Sequence, residues 1–382
     1  MVSSGKLFGN FSCTMKTITP VFIGNGRKYF SNEFVTGKAK LKGEDINIIK
    51  RIDVIEYYKD LTDDKKDKFI ENLSNQNFKL EQYDSKVKNK YRRYNAVCKF
   101  QLTDKKGYKN IPSEIAEGIK TNDKFFIPGS SLKGAIRTSL LYNLINADDI
   151  PEDIVQKRSG KYRIKRGACD NFINKIFSAP KGNSAQNSIM RFLQISDSTV
   201  AKFPHVYDLK TIKAKPTGTF EDHGRNGRVI KTYVETIGRK TSLKFSLNNT
   251  VNDDVLNRIG IEDKKYLISL KNIKESIYNF SNDIIDHEIE FYEEYDRPSI
   301  KKTYEKLSKW NKLDKPLIKL GSGSGLLATS IALKIKNEDI QRFEEIRQSF
   351  RRSYEYEFPK SRKITSTDLP LGWVQLSFAE PK

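Results

Sequence analysis

Residues 127–137 combine glycines, serines and two cations in an order that could hold a phosphate group. The first glycine permits a turn that few other residues tolerate, and either serine after it can cap a helix. The free amides of the first helical turn would face an anion, and two cations four residues apart would project from one face. These residues predict a phosphate site at a helix start, and a well-capped helix without a ligand is the alternative. The candidate residues are Gly129, Ser130, Ser131, Lys133 and Arg137.

The same segment does not fit a loop that hydrolyses nucleotides. Gly129 and Gly134 have the spacing of a Walker A motif, but Ala135 and Ile136 stand where that motif requires Lys and Ser or Thr. The lysine that would reach the terminal phosphates is missing from its place. The segment therefore favours phosphate binding without nucleotide hydrolysis.

A second glycine segment, residues 321–325, follows an expected strand and precedes an expected helix. That context matches a dinucleotide-binding fingerprint, which also needs an acidic residue at the end of a second strand. No second strand is expected, because the next apolar residues have helical spacing. The loop instead predicts that its own backbone, unshielded by side chains, lies close to a sugar-phosphate chain. The alternative is that the glycines only allow tight packing of the helix on the strand. Its candidate residues are Gly321, Ser322, Gly323, Ser324 and Gly325.

A third glycine turn lies near the N-terminus and has two cations beside it. Gly24 and Gly26 flank an asparagine, and Arg27 and Lys28 follow directly. Glycine next to asparagine is typical of tight turns. The turn is a further candidate for phosphate contact, and a surface hairpin explains it equally well.

Side chains suited to metal or acid–base chemistry are few and scattered. The three histidines are at positions 205, 223 and 287, and the three cysteines are at 13, 98 and 169. None has a partner at the spacing of a metal site or a disulfide framework, so we expect no metal and no cofactor. His223 and Asp197 are the candidates for an acid or base that cuts RNA, although turn and capping roles are commoner. The sequence therefore favours a binder over an enzyme.

The overall charge favours a polyanionic partner. The 382 residues carry 69 Lys and Arg against 48 Asp and Glu, a formal net charge of +21. Such a field attracts nucleic acid. Basic residues cluster in segments 86–109, where interleaved tyrosines suit base stacking, and 157–166. Biased composition with solvated basic faces is the alternative, and the acidic segment 283–296 should avoid nucleic acid.

Membrane and export signals are not visible in the sequence. No apolar segment approaches the roughly 20 residues of a spanning helix, and the N-terminus lacks a basic-then-apolar leader. We therefore expect a cytoplasmic protein that does not enter a membrane.

Hydrophobic periodicity predicts both strands and helices in each half of the chain. Alternating apolar residues predict strands at 11–16, 243–247 and 374–378. Helical spacing predicts helices at 44–82, 130–144 and 264–295. Mixed elements with charged helical stretches between them predict an α+β fold with insertions. The length and the polar surroundings of Pro204 suggest two domains, 1–203 with helical and basic insertions and 204–382 with the 321–325 loop.

Several segments, taken in chain order, resemble the motifs of the CRISPR RAMP superfamily, whose members grip guide RNA. Pro-Gly-Ser-Ser-Leu-Lys-Gly-Ala-Ile-Arg at 128–137 resembles the superfamily signature, and Ile-Thr-Pro-Val-Phe-Ile-Gly-Asn-Gly at 18–26 resembles its first-strand motif. Further matching segments are Leu-Gln-Ile-Ser-Asp-Ser at 193–198, Tyr-Val-Glu at 233–235, Leu-Gly-Ser-Gly-Ser-Gly at 320–325 and Leu-Pro-Leu-Gly-Trp-Val at 369–374. The series is most similar to the subunit-five family of the Csm complex, the type III-A CRISPR–Cas effector.

The resemblance implies two ferredoxin-like (RRM-like) RAMP domains with helical insertions. It also implies a subunit without nuclease activity that holds the 3′ part of a CRISPR guide RNA (crRNA), caps the filament of backbone subunits and supports crRNA maturation in antiviral defence. The implied partners are that crRNA, the backbone subunit and the small helical subunit. The three glycine segments carry the implied contacts, with one departure: Phe22 stands where the first-strand motif usually has His.

Two other functions remain open. The chain could be a RAMP-type endoribonuclease that processes CRISPR RNA through His223 or Asp197. It could also be a general RNA-binding protein whose charge is unrelated to CRISPR.

Overall fold

The structure, a computed structural model, describes most of the chain. The described residues are 6–75, 78–103, 107, 109–158, 160–179, 186–214, 220–222, 224–225, 228–349 and 358–379. His223 and part of the basic segment 86–109 lie outside the described residues.

Strands and helices alternate irregularly along the chain. The strands are β1 (Asn10–Thr17), β2 (Gly24–Phe30), β3 (Phe34–Leu41), β4 (Glu44–Ile52), β5 (Arg92–Cys98), β6 (Glu114–Gly118), β7 (Lys120–Thr121), β8 (Lys124–Phe125), β9 (Val155–Arg158), β10 (Lys161–Ile164), β11 (Gln194–Ile195), β12 (Pro204–Ala214), β13 (Phe220–Asp222), β14 (Gly224–Arg225), β15 (Arg228–Val229), β16 (Lys231–Ile237), β17 (Ser242–Asn248), β18 (Leu317–Lys319), β19 (Ser361–Thr365) and β20 (Trp373–Ala379). The helices are α1 (Val54–Lys59), α2 (Asp63–Leu73), α3 (Leu80–Tyr83), α4 (Gly129–Leu144), α5 (Ala168–Phe177), α6 (Asp253–Ile259), α7 (Leu270–Glu294), α8 (Pro298–Trp310), α9 (Ala332–Glu338) and α10 (Ile340–Gln348).

The first large sheet has the antiparallel order β11-β17-β1-β20-β18. Its central strand, β1, buries Phe11, Cys13 and Met15 as the alternation predicts. Helices α4 and α7 pack on each other, and their apolar side chains join those of β1, β17 and β20 in one core. Burial of these apolar faces is the main force that holds sheet and helices together.

The second large sheet has the order β2-β6-β16-β12-β5-β4-β3, and β13 and β19 also pair with β12. Most neighbours are antiparallel, whereas β12 with β5 and β16 with β6 are parallel. Parallel neighbours need long crossover connections, which explains why helices and loops intervene between these strands.

Both sheets combine strands from the two halves of the chain. Strand β1 lies between β17 and β20, and β12 lies between β5 and β16. Pro204, where the sequence suggests a second domain, is the first residue of β12. A division at 203–204 would therefore separate strands that are hydrogen-bonded in one sheet, and this boundary stays a prediction.

The prediction of a helix over 44–82 is wrong for residues 44–52. Residues 44–52 form β4, which is paired on both sides, and Ile48, Ile49 and Ile52 are buried there. Branched side chains favour a pleated surface, and this preference outweighs the helix-like spacing of the charges. Helix α1 begins only after Asp53, whose carboxylate accepts a hydrogen bond from the amide of Glu56.

Candidate nucleic-acid interface

The start of helix α4 is tied to the segment after β11. The Gly129 amide donates to Asp197 Oδ1 at 2.8 Å. A Cβ atom on Gly129 would lie 2.2 Å from the carbonyl oxygen of Ile195, so only glycine allows this close approach. The Asp197 carboxylate at the helix N-terminus also interacts favourably with the helix dipole. Asp197, a candidate acid or base, is therefore a helix cap, and one amide predicted to face phosphate is bonded within the chain.

The cations of this motif lie on α4 as their spacing predicts. Lys133 is half-buried, and burial lowers its pKa. Arg137 is exposed, with its guanidinium 5.6 Å from the ring centre of Phe177. Ser130 is exposed and Ser131 is half-buried. Their role in phosphate binding stays a prediction.

The 321–325 loop packs directly on the first-strand motif. The Ser322 amide donates to the Phe22 carbonyl at 2.8 Å. Gly321 has φ of +80°, and a Cβ atom there would lie 2.3 Å from the same oxygen. The Gly372 amide in turn donates to the Pro20 carbonyl at 2.8 Å. Three motifs that are distant in sequence therefore meet at one place.

A groove lies between this loop and the second sheet, with a volume of about 260 Å³. We call it the glycine-loop groove. Its polar lining includes Ser322 and Gly323 of the loop, Lys28 of β2, Lys231 of β16 and Lys363 of β19. The structure thus brings two of the three glycine segments together around three lysines.

The groove carries an excess of positive charge. Lys28 Nζ lies 2.6 Å from the Glu114 carboxylate, and both side chains are about half exposed, at 51% and 43%. Lys231 Nζ lies 2.7 Å from the buried carboxylate of Asp208. No carboxylate of the described residues lies within ion-pair distance of Lys363, which is exposed. Because exposed ion pairs contribute little, Lys28 can exchange its partner for a phosphate at small cost.

The third glycine turn is the irregular start of β2 rather than a separate hairpin. The pairing of β2 with β6 shifts register between Gly24 and Lys28. Asn25 accepts a hydrogen bond from the Arg27 amide at 2.9 Å and donates to Glu117 at 2.7 Å. Gly26 has φ of +83° with open space around it, so it supplies a left-handed residue for this bend. The Arg27 side chain is exposed and directly precedes Lys28, the groove residue of β2.

Lys231 and Lys363 were missed by the sequence analysis. Both lie on strands that the periodicity did not single out, and the chain is so rich in lysine that neither position differs from its surroundings. The β-branched residues Ile364 and Thr365 before a Pro-Leu-Gly-Trp segment are the one signal that could have indicated a strand there.

A buried carboxylate lies on β16, one of the strands that line the groove. Glu235 on β16 has no exposed surface and accepts hydrogen bonds from the hydroxyls of Tyr29 at 2.9 Å and Tyr94 at 2.7 Å. Lys120 Nζ lies 3.1 Å from the second oxygen. Burial raises the pKa of Glu235, an effect that the Lys120 ammonium opposes. The network joins β16 to β2 and β5, next to the groove residues of β16.

The acidic segment 283–296 lies at the end of α7, where three of its carboxylates have partners within the chain. Tyr142 donates to Asp283 at 2.7 Å, and Lys301 lies 2.6 Å from Glu293. Glu288 is buried and paired with Arg362. These contacts explain three of the acids as structural.

Within the described residues, no group of three or more His, Cys, Asp or Glu side chains is placed to hold a metal ion. In the same part of the chain, no helix is both long and apolar enough to span a membrane. His205 and His287 are both half-buried, and burial lowers the pKa of each to about 4.

Comparison with known proteins identifies the class to which this fold and these motifs belong. The family model described as the RAMP superfamily matches residues 14–328, and the chain belongs to that superfamily. Among curated proteins, it is similar to the CRISPR system protein Csm5 of Methanocaldococcus jannaschii, with 25% identity over 406 aligned positions that cover 95% of this chain and 88% of that protein. The resemblance to the superfamily and to subunit five of the Csm complex is confirmed.

Two solved structures share the fold. One chain of a cryo-EM structure of the Csm–crRNA–target RNA ternary complex of a type III-A CRISPR–Cas system superposes with a TM-score of 0.68 at 19% identity, covering 96% of this chain and all (100%) of that one. The crystal structure of Csm5 from T. onnurineus gives 0.54 at 18% identity, covering 94% and 99%. These matches confirm the predicted fold class, α+β with two ferredoxin-like units.

Proposed function

We propose that this chain is a non-catalytic crRNA-binding subunit of a type III-A CRISPR–Cas effector complex. It holds the 3′ part of the crRNA and caps the filament of backbone subunits, beside the small helical subunit, in the cytoplasm. The observation that carries the proposal is the glycine-loop groove, where the glycine loop and three lysines from separate strands converge. The similarity to Csm5 and to a chain of a crRNA-containing complex supports the placement.

The groove suits a sugar-phosphate backbone better than a base. Lysines act as point charges toward phosphate, and contacts to phosphate hold a strand without reading its sequence. The loop exposes Ser322 at the rim, where its hydroxyl can donate to a phosphate oxygen, while its amide is bonded to the Phe22 carbonyl. A guide-binding subunit must accept many sequences, which is what such contacts allow.

The described residues favour binding over cleavage. The groove lining contains no histidine, and Asp197 is engaged at the start of α4. The one carboxylate among the described lining residues, Glu114, is paired with Lys28, so the lining offers no separate acid and base to one ribose. The endoribonuclease alternative therefore depends on His223, outside the described residues, or on release of Asp197 from its cap.

The double variant Lys28→Ala with Lys363→Ala tests the proposal. Because two phosphate contacts are lost, we expect RNA affinity to fall about tenfold or more at 0.1 M salt. We also expect the slope of log affinity against log salt to become less steep by about 1 to 1.5. The measurement is binding of a labelled single-stranded RNA over a range of salt concentrations.

The matched control is Lys309→Ala with Lys315→Ala, which removes the same charge from exposed lysines outside the groove. An equal loss for both double variants would show a general charge effect and contradict the groove. The pair predicted from sequence, Lys133 and Arg137, is compared in the same titration. If the purified chain cuts guide precursor, and Asp197→Ala or His223→Ala stops the cleavage, the endoribonuclease alternative is favoured. If the chain does not associate with Csm subunits, a general RNA-binding protein is favoured.

A further inference from the structure

A second cavity, of about 320 Å³, is lined in part by the same glycine loop as the groove. We call it the loop cavity. It is enclosed by residues of the loop, the buried face of α7, and strands β18 and β19. Gly323 and Lys363 line both the groove and the loop cavity, so the two spaces adjoin.

Among the described residues, the charged side chains that line the loop cavity are Lys319, Arg362, Lys363 and Glu288. Arg362 Nε contacts both carboxylate oxygens of Glu288, at 2.8 and 3.0 Å, which neutralises one cation. Among these described side chains, three cations against one carboxylate leave two positive charges in excess. A terminal phosphate carries about −1.5 to −2 charge at neutral pH, so its charge matches this excess.

Lys319 is the unusual member of this set. It is only 9% exposed, yet no carboxylate of the described residues lies within ion-pair distance and its ammonium makes no hydrogen bond to them. Its Nζ lies 5.5 Å from the ring centre of Trp373, and burial lowers its pKa to about 8, an effect that the more distant Glu288 carboxylate opposes. A buried cation without a hydrogen-bonded partner costs stability. Such an arrangement is explained if the ammonium has a ligand in the cavity.

We propose that the loop cavity binds one phosphate group, with Lys319 as its central ligand and Lys363 at its entrance. Ser324, whose hydroxyl is 2.8 Å from the Gly321 carbonyl, lies at the loop side of the site. The phosphate is either inorganic phosphate or the terminal phosphate of an RNA strand lying in the adjoining groove. Only the second source rests on the proposed function.

The test uses the purified full chain and titrates inorganic phosphate by calorimetry at constant ionic strength. We expect one site per chain in the wild type and an affinity at least tenfold lower in Lys319→Met. Because the variant removes a buried charge and keeps the side chain's length, its melting temperature should equal or exceed that of the wild type. Lys315→Met, which removes an exposed lysine outside the cavity, should bind phosphate as the wild type does.

A second arm compares two RNA oligonucleotides that differ only in a terminal phosphate. Tighter binding of the phosphorylated strand, by about tenfold and only when Lys319 is present, identifies the RNA end as the source. Equal binding of both strands, with phosphate bound in the first arm, identifies free phosphate. If Lys319→Met fails to fold, Lys319→Gln replaces it in both arms.

Two results would overturn the inference: no phosphate site in the wild type, or unchanged phosphate binding in the Lys319 variants. Normal binding of the unphosphorylated strand alongside either result would leave the proposed function standing. Phosphate binding by a chain that binds neither RNA would instead contradict the proposed function and leave this inference standing.

Discussion

Replacement of Glu235 by alanine is expected to lower the free energy of unfolding by about 3–5 kcal/mol. The substitution removes the acceptor of two buried tyrosine hydroxyls and of the Gly118 amide, which lies 3.3 Å from Glu235 Oε2. Buried donors without an acceptor each cost about 1–3 kcal/mol. Lys120 keeps Glu117 at 2.6 Å, so the loss comes mainly from the tyrosines, the amide and the space left behind. Urea unfolding followed by fluorescence measures this loss of unfolding free energy.

Two controls separate the network from the mere loss of a charge. Glu235→Gln keeps an oxygen for both tyrosines but turns an amide NH₂ toward Lys120, so we expect a clearly smaller loss than for Glu235→Ala. Glu114→Ala removes an exposed carboxylate of the neighbouring strand β6 and should cost less than about 1 kcal/mol. Similar losses for Glu114→Ala and Glu235→Ala would refute the role assigned to the buried network.

Gly129→Ala should be nearly as damaging, with a loss of about 2–4 kcal/mol. The added Cβ would lie 2.2 Å from the Ile195 carbonyl and 2.7 Å from that of Ser196, and both atoms belong to backbone that cannot rotate away. Overpacking of this kind costs about 1–3 kcal/mol, and displacement of the Asp197 cap adds about 1 kcal/mol. Thermal unfolding of the variant checks the value.

Gly134→Ala is the matched control, since it changes the second glycine of the same helix. A Cβ atom at position 134 meets nothing within 4 Å, and alanine is the better helix former. We therefore expect a gain of about 0.5–1 kcal/mol from this substitution. Equal effects of the two alanines would contradict the close contact between α4 and the segment after β11.

The sequence predicted the regular elements well where one face is buried. Strand β1 and helix α4 each bury a stripe with the period expected for their type, so their pattern is local. Strand β4 was misassigned because its charges have helix-like spacing, whereas the strand is stabilised by pairing with the adjacent strand β3 and with β5, which comes from further along the chain. The same cause hides the sheet order, in which β1 pairs with strands more than two hundred residues away.

The candidate site was predictable only in part. The 321–325 loop and Lys28 were found because glycine and charge stand out locally, whereas Lys231, Lys319 and Lys363 gain meaning only from the sheet that brings them to the loop. The capping of α4 by Asp197 likewise depends on a contact across 68 residues. Contacts between residues that are far apart in sequence are set by the packed fold and leave no pattern in a single sequence.

Photo-crosslinking of crRNA within the assembled complex tests the central claim most directly. Guide RNA carrying 4-thiouridine is crosslinked in the complex, and the attached peptides are identified by mass spectrometry. If the glycine-loop groove holds the strand, crosslinks will occur in residues 22–28, 321–325 and 361–363. Crosslinks confined to other surfaces, such as α2 and α8, with none in these three segments, would contradict the account.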